Sequence, residues 1–319
     1  MLIELLIFAV GIGLLVIGAW LLVEGGTRVA GVLGVPPVVV GLTVVAFGTS
    51  APELFVSLVG ALRGSTGLVL GNVIGSNVAN LGLILGAAAV LRPVVVEHGL
   101  SRREVPMLMV ISVFFCWSAW DGVLTRVDAG ILVVGFVVFL GWTRRSGDRG
   151  SVVVALPHER PVAVGRRLRM LALGSLLVLL GIVGLAGGGQ LIVSSALSLA
   201  IRMGISETLV GLTLVAVGTS LPELATTLMA AWRNQDEMAL GNIIGSNIFN
   251  TLAVAGPVGL IKPLVDEAGT GPLQMVSMFG LTFLVFVMIV LRGGNVGRLR
   301  GAFLLLVYVV ILCLWTVMS

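Results

Sequence analysis

A chain of 319 residues that is 58% hydrophobic and only 11% charged, with a mean hydropathy of +1.15, is not a soluble globular domain but a polytopic membrane protein. The net charge of +4 would suggest nucleic acid for a soluble protein. Here the basic residues lie between apolar runs and read as topology determinants, so no nucleic acid is expected as a partner, and no protein partner is inferred.

In chain order, apolar runs predict helices near 2–23, 36–62, 67–90, 104–120, 123–143, 169–193, 206–232, 238–261, 271–291 and 299–318. The first run has no basic start and aligns with a later internal segment, so it reads as a retained helix rather than a cleaved signal peptide. Cys116 and Cys313 sit in apolar runs without ligand spacing, which argues against a disulfide or metal role. Glu24, Glu97, Asp266 and Glu267 fall at predicted helix ends, Ser206-Glu207 resembles an N-cap, His98 and His158 are loop residues, and Trp117, Trp120 and Trp142 are interfacial anchors. The longest polar stretch is Arg144–Arg169, with seven arginines; 144–168 is expected to be a basic linker between a first unit, 1–143, and a second, 169–319. With the linker cytoplasmic, 15 of the 19 Lys and Arg fall on its side, which puts both termini outside.

The halves repeat. Gly41–Leu54 (GLTVVAFGTSAPEL) returns at Gly211–Leu224 (GLTLVAVGTSLPEL), with 11 of 14 positions identical and an offset of 170 residues. The same offset matches Gly71–Asn80 (GNVIGSNVAN) to Gly241–Asn250 (GNIIGSNIFN), 7 of 10 identical, and pairs Gly11 with Gly181, Gly18 with Gly188 and Asn72 with Asn242. Five runs per half make the second copy enter the membrane from the opposite side. The fold class expected is therefore an all-α polytopic membrane protein of ten transmembrane helices, as two inverted five-helix repeats with broken helices at the midplane.

Pro52 and Pro222 are expected to break their helices, freeing backbone oxygen nearby, including the carbonyls of Ala46 and Ala216. Glu53 and Glu223 each cost about 2.5–3.5 kcal/mol at membrane depth. Thr49 and Glu53, four apart, are expected to share a helix face, with Ser50 beside them; Thr219, Ser220 and Glu223 repeat the pattern. Ser76 and Asn80, and Ser246 and Asn250, are also four apart, in the next runs. The donors are hard oxygens, which suit Ca²⁺ and alkali cations. The Gly71/Gly75 and Gly241/Gly245 pairs fit either this site or simple helix packing.

These two motif pairs resemble the Ca²⁺:cation antiporter family, in particular the prokaryotic sodium/calcium exchangers, whose two α-repeats they look like. The resemblance covers all ten runs. It implies that the second, third, seventh and eighth helices hold four cation sites, while the first and sixth slide across that core. Gly11/Gly181 and Gly18/Gly188 fit such a sliding face. Carried over by position, it implies that Glu53, Glu223 and the carbonyls of Thr49 and Thr219 bind Ca²⁺. Na⁺ would use the two glutamates with Ala46, Ser50, Ser76, Ala216, Ser220 and Ser246, and Asn80 and Asn250 would flank a central site. Some members carry Asp at the position of Asn250, and potassium-dependent relatives use an acid there, so Asn argues against K⁺ co-transport.

The activity expected is secondary active Na⁺/Ca²⁺ antiport by alternating access in a prokaryotic cell membrane. Two carboxylates match one Ca²⁺, and three Na⁺ in their place would make exchange electrogenic. A Ca²⁺/H⁺ exchanger and a passive cation channel are the alternatives. No Ser/His dyad, HExxH, paired-Asp or nucleotide-binding motif suggests an enzyme. Ca²⁺ and Na⁺ are transported substrates, and no cofactor is implied.

Overall fold

The computed structural model describes residues 2–95, 98–149, 164–202, 216–266, 271–291 and 295–318. Glu97, His158, Ser206, Glu207, Glu267, residues 211–215 of the second motif and most of the basic linker lie outside these. The described chain is helical apart from two-residue strands. Its helices are α1 (Leu2–Leu33), α2 (Pro37–Thr49), α3 (Ala51–Leu62), α4 (Thr66–Leu91), α5 (His98–Ser118), α6 (Arg126–Arg149), α7 (Val164–Arg202), α8 (Ala216–Thr219), α9 (Leu221–Trp232), α10 (Asp236–Ile261), α11 (Gly271–Phe286) and α12 (Arg298–Met318). Each predicted apolar run is mainly helical over its described part, with breaks at Ser50 and Ser220 and a strand, Val123–Leu124, at the start of the fifth. Among the described residues seven helices are long and apolar enough to cross a bilayer, and α2 with α3 makes an eighth when read as one broken span. α5 carries Arg102, Arg103 and Glu104 near its start.

The chain forms two compact units, each drawn from both halves of the sequence. The first comprises Met1–Thr49 and Leu140–Asn242. Its spine is α1 against α7, long apolar helices without charges to solvate along most of their length. Close approach needs glycine: a Cβ on Gly11 would meet Gly188 O at 3.0 Å, and one on Gly25 would meet Gly174 O at 2.7 Å. The glycines therefore bind α1 and α7 to each other. This corrects the expected sliding face, because these positions are occupied by the partner helix. At one end, Arg167 donates to Val32 O at 2.9 Å, and Glu24 takes Arg28 at 2.7 Å and Arg233 at 2.5 Å.

The second unit comprises Ser50–Phe139 and Ile243–Ser319. Here α3 and α11 both flank α4, and α12 packs on its second half, where a Cβ on Gly86 would meet Gly301 O at 3.0 Å. Two ribbons tie the loops. β1 (Val94–Val95) pairs with β4 (Asn295–Val296), and β2 (Val123–Leu124) with β3 (Leu264–Val265), both antiparallel. Pro93 before β1 and Pro263 before β3 end the helices that precede them and leave Arg92 and Lys262 extended. Trp117, Trp120 and Trp142 are exposed, as interfacial anchors require.

The repeat also survives in backbone conformation. Gly64 ends the turn after α3 at φ +92°, and Asn234, 170 residues on, does so after α9 at φ +61°. Glycine and asparagine are the residues that tolerate this left-handed region.

Candidate ion-binding site

The helix break falls at Ser50, two residues before the proline. Ser50 has φ −86° and ψ 4°, and its repeat counterpart Ser220 has φ −87° and ψ 2°. Pro52 and Pro222 then occupy the first turn of α3 and α9, where a missing N–H costs nothing. Thr49 ends α2, whereas Glu53 begins α3, so the expected common helix face is interrupted by the break. Sequence spacing alone missed this, since four-residue periodicity holds only along an unbroken helix.

In the first unit, Ala46, Thr49, Thr219, Ser220 and Glu223 are positioned by α2, α8 and α9, and Ala216 opens α8. Glu223 is 1% exposed. The Thr49 hydroxyl lies 3.3 Å from Ala46 O and 3.3 Å from Asn242 Oδ1, so the two acceptors share its single proton. Asn242 Nδ2 donates to Thr227 Oγ1 at 3.0 Å. A Cβ on Gly48 would overlap Ile182 Cδ1 at 2.6 Å, so the glycine of the GTS motif admits a side chain from α7.

In the second unit, Ser50, Glu53, Ser76, Asn80, Ser246 and Asn250 are all buried, Glu53 to 1% exposure. Asn72 Nδ2 donates to Glu53 O at 3.2 Å and to Ser57 Oγ at 3.0 Å. Asn77 Nδ2 donates to Thr251 Oγ1 at 2.9 Å, and that hydroxyl donates to Asn247 O at 2.9 Å. Asn80 and Asn250 each open a wide π-helical turn, Asn80–Ile84 and Asn250–Ala255. Such turns concentrate at functional sites. Ser76 Oγ and both amide atoms of Asn80 and of Asn250 are buried without a hydrogen-bond partner among the described residues. Leaving a buried polar group unpaired costs about 1–3 kcal/mol, so such groups call for a polar ligand.

Asn72, Asn77 and Thr251 make these bonds in the second unit and Asn242 makes those in the first, and the sequence marked only the repeat match of Asn72 with Asn242. Their partners are up to 193 residues away in the chain. Among the described residues a Cβ on Gly71 or Gly75 would meet nothing within 4 Å, whereas one on Gly241 would meet Val38 O at 2.8 Å, as close helix packing requires. No three His, Cys, Asp or Glu side chains gather among the described residues. Any cation held here relies on few carboxylates supplemented by neutral oxygens, a donor set that suits hard ions.

Apolar, all-α and polytopic, with paired buried glutamates beside helix breaks, the chain is of the membrane ion-transporter class. The family described as "Sodium/calcium exchanger protein" matches residues 3–144 and 173–317. The chain belongs to this sodium/calcium exchanger family, whose members exchange cations and Ca²⁺. It is 30% identical to the sodium/calcium exchanger MaX1 of Methanosarcina acetivorans over 346 residues, 97% of each chain. It is 37% identical to the inner membrane protein YrbG of Escherichia coli over 269 residues, 82% of this chain and 81% of YrbG. The solved structure of the sodium-calcium exchanger NCX_Mj soaked with Na⁺ and Ca²⁺ superposes with a TM-score of 0.85 at 30% identity, over 98% of each chain.

Proposed function

We propose that the chain is a secondary active antiporter that exchanges Na⁺ for Ca²⁺ by alternating access, electrogenically. The observation that carries the reading is the duplicated joint. Ser50 and Ser220 share one backbone conformation, each is followed by a proline in the first turn, and each precedes a glutamate that is 1% exposed. We take Glu53 and Glu223, with the Thr49 and Thr219 carbonyls, as Ca²⁺ ligands. The same glutamates with Ala46, Ser50, Ser76, Ala216, Ser220 and Ser246 serve Na⁺, and Asn80 and Asn250 flank the centre. One Ca²⁺ balances two carboxylates; three Na⁺ leave a charge of +1, and the low dielectric disfavours holding both ions together.

The architecture in this reading is ten helices in two inverted five-helix repeats, 1–143 and 169–319, joined by a cytoplasmic linker, 144–168, with both termini outside a prokaryotic cell membrane. The ends of the helices support the arrangement. Arg28, Arg167 and Arg233 gather at one end of the first unit, as residues of loops on one membrane side would. In the second unit, Thr66 donates to Val265 O at 3.2 Å and Asp266 N to Gly122 O at 2.8 Å, which brings together three loops that this reading assigns to one membrane side.

The test is Ca²⁺ flux in proteoliposomes under imposed Na⁺, K⁺ and H⁺ gradients in turn. Uptake driven by outward Na⁺ alone, with a matching current, supports the proposal. Flux driven by a pH jump without Na⁺ would instead mark proton exchange, and flux that needs no counter-ion a channel.

A further inference from the structure

We propose that Asn72 and Asn242 are positioning residues: each uses its side-chain amide to fix the helix bearing a glutamate against the helix that follows. The inference rests on the ion-site reading of Glu53 and Glu223 given above.

The argument starts from the break. Because the chain breaks at Ser50 and Ser220, the turn that carries each glutamate is the first turn of a new helix, and its direction is not set by the helix before the break. A contact from the following helix can set it. In the second unit that contact is made by Asn72. Glu53 O can only accept, so the amide nitrogen faces it, and both amide protons are used, one on Glu53 O at 3.2 Å and one on Ser57 Oγ at 3.0 Å. Ser57 lies one turn beyond Glu53 and is fully buried. The amide thus spans the glutamate's own turn and joins it to α4.

The repeat reproduces the device. Asn242 donates to Thr227 Oγ1 at 3.0 Å, and Thr227 lies one turn beyond Glu223. Its oxygen accepts the hydroxyl of Thr49 at 3.3 Å, so this amide also steadies the last residue of α2, before the other break. Ser57 and Thr227 are themselves 170 residues apart, and both offer a hydroxyl. Chance packing does not account for the same amide reaching the same acceptor type, at the same distance, in both copies.

The position along the helix gives the arrangement its purpose. Asn72, Ser76 and Asn80 are spaced by four along α4, as are Asn242, Ser246 and Asn250 along α10, so each amide heads the stripe of oxygen-bearing residues proposed for the ions. Fixing Asn72 to the turn of Glu53 fixes how far the carboxylate lies from that stripe. A divalent ion that needs six or more oxygens at about 2.3–2.6 Å depends on this register more than a monovalent ion satisfied by fewer ligands.

The experiment measures half-saturation for Ca²⁺ and for Na⁺ in proteoliposomes, with thermal unfolding of the same detergent-solubilised protein. The variants are Asn242→Leu, Thr227→Val and the double variant. Removing one partner strands the other, whereas the double variant removes both the amide and the hydroxyl it binds, and Thr49 still has Ala46 O at 3.3 Å, so the double variant is the one expected to stay folded. In it, half-saturation for Ca²⁺ rises about tenfold, as loss of one hydrogen bond's worth of positioning predicts, while that for Na⁺ changes less than about threefold and the unfolding temperature stays near wild type. Asn72→Leu with Ser57→Ala gives the same split. Unchanged half-saturation for both ions in the double variants overturns the proposal, as does a parallel change in both ions that tracks loss of folded protein. If the unmodified protein shows no Na⁺-driven Ca²⁺ flux, the ion-site reading fails and this inference with it; if it exchanges normally and only the split is absent, this inference alone fails.

Discussion

Gly18 and Gly181 meet backbone to backbone: a Cβ on either would lie 2.9 Å from the carbonyl oxygen of the other. Gly11 with Gly188 and Gly25 with Gly174 repeat the contact seven residues to either side. Side chains at these points force the helices apart, and overpacking of this kind costs about 1–3 kcal/mol. Gly18→Val and Gly181→Val are therefore expected to lower the unfolding temperature in detergent. Gly13, beside which no described residue lies within 4 Å, is the control. Gly13→Ala is expected to be neutral or stabilising by up to ~1 kcal/mol, from helix propensity.

Arg233 caps α9, the helix of Glu223, and pairs with Glu24 on α1 at 2.5 Å, with its guanidinium 5.7 Å from the Trp20 ring centroid. The repeat does not copy this contact, since Ser194 stands at the position equivalent to Glu24. Both side chains retain some exposure, so the pair is worth roughly 1 kcal/mol, more than a freely solvated one. A double-mutant cycle of Glu24→Gln and Arg233→Gln, read by thermal unfolding, is expected to give a coupling energy of that size. Additive effects would show the pair to be idle.

The left-handed turns give a matched pair of substitutions. Asn234→Gly keeps φ near +61° without strain and is expected to leave stability within about 0.5 kcal/mol. Gly64→Ala must place a Cβ at φ +92° and is expected to cost about 1–2 kcal/mol. Equal tolerance of both would mean that these turns relax in the membrane.

Asn80 and Asn250 carry amides where an acid would add charge. Exchange is accordingly expected to proceed unchanged when K⁺ is replaced by choline on both sides. Asn250→Asp adds a third carboxyl to the proposed site and is expected to make Ca²⁺ flux more sensitive to acid pH, because a carboxyl in that setting titrates and an amide does not. Flux measured between pH 6 and 8 in both proteins checks this.

Much of this was legible in the sequence because lipid imposes few rules. Long apolar runs had to be helices, and Glu53 and Glu223 stood out because a bilayer makes carboxylates costly. The 170-residue repeat tied the two copies together before any coordinates. The rest depended on contacts that no local pattern encodes. Pro52 announced a break but not that the chain would break at Ser50, separating Thr49 from Glu53. The π turns opened by Asn80 and Asn250 have no sequence signature. Gly11 and Gly18 were recognisable as a small-residue face, but only the structure shows that the face belongs to α7. Asn72 and Asn242 looked like repeat markers until their acceptors, Ser57 and Thr227, came within 3.0 Å.

The most direct measurement of the central claim is Na⁺-gradient-driven ⁴⁵Ca²⁺ uptake into proteoliposomes containing the unmodified protein, Glu53→Gln or Glu223→Gln. The unmodified protein is predicted to accumulate Ca²⁺, and each single substitution, which leaves one negative charge against a divalent ion, to abolish uptake while the protein remains folded in the membrane. Full uptake by both folded variants would contradict the assignment of these glutamates as the ion site.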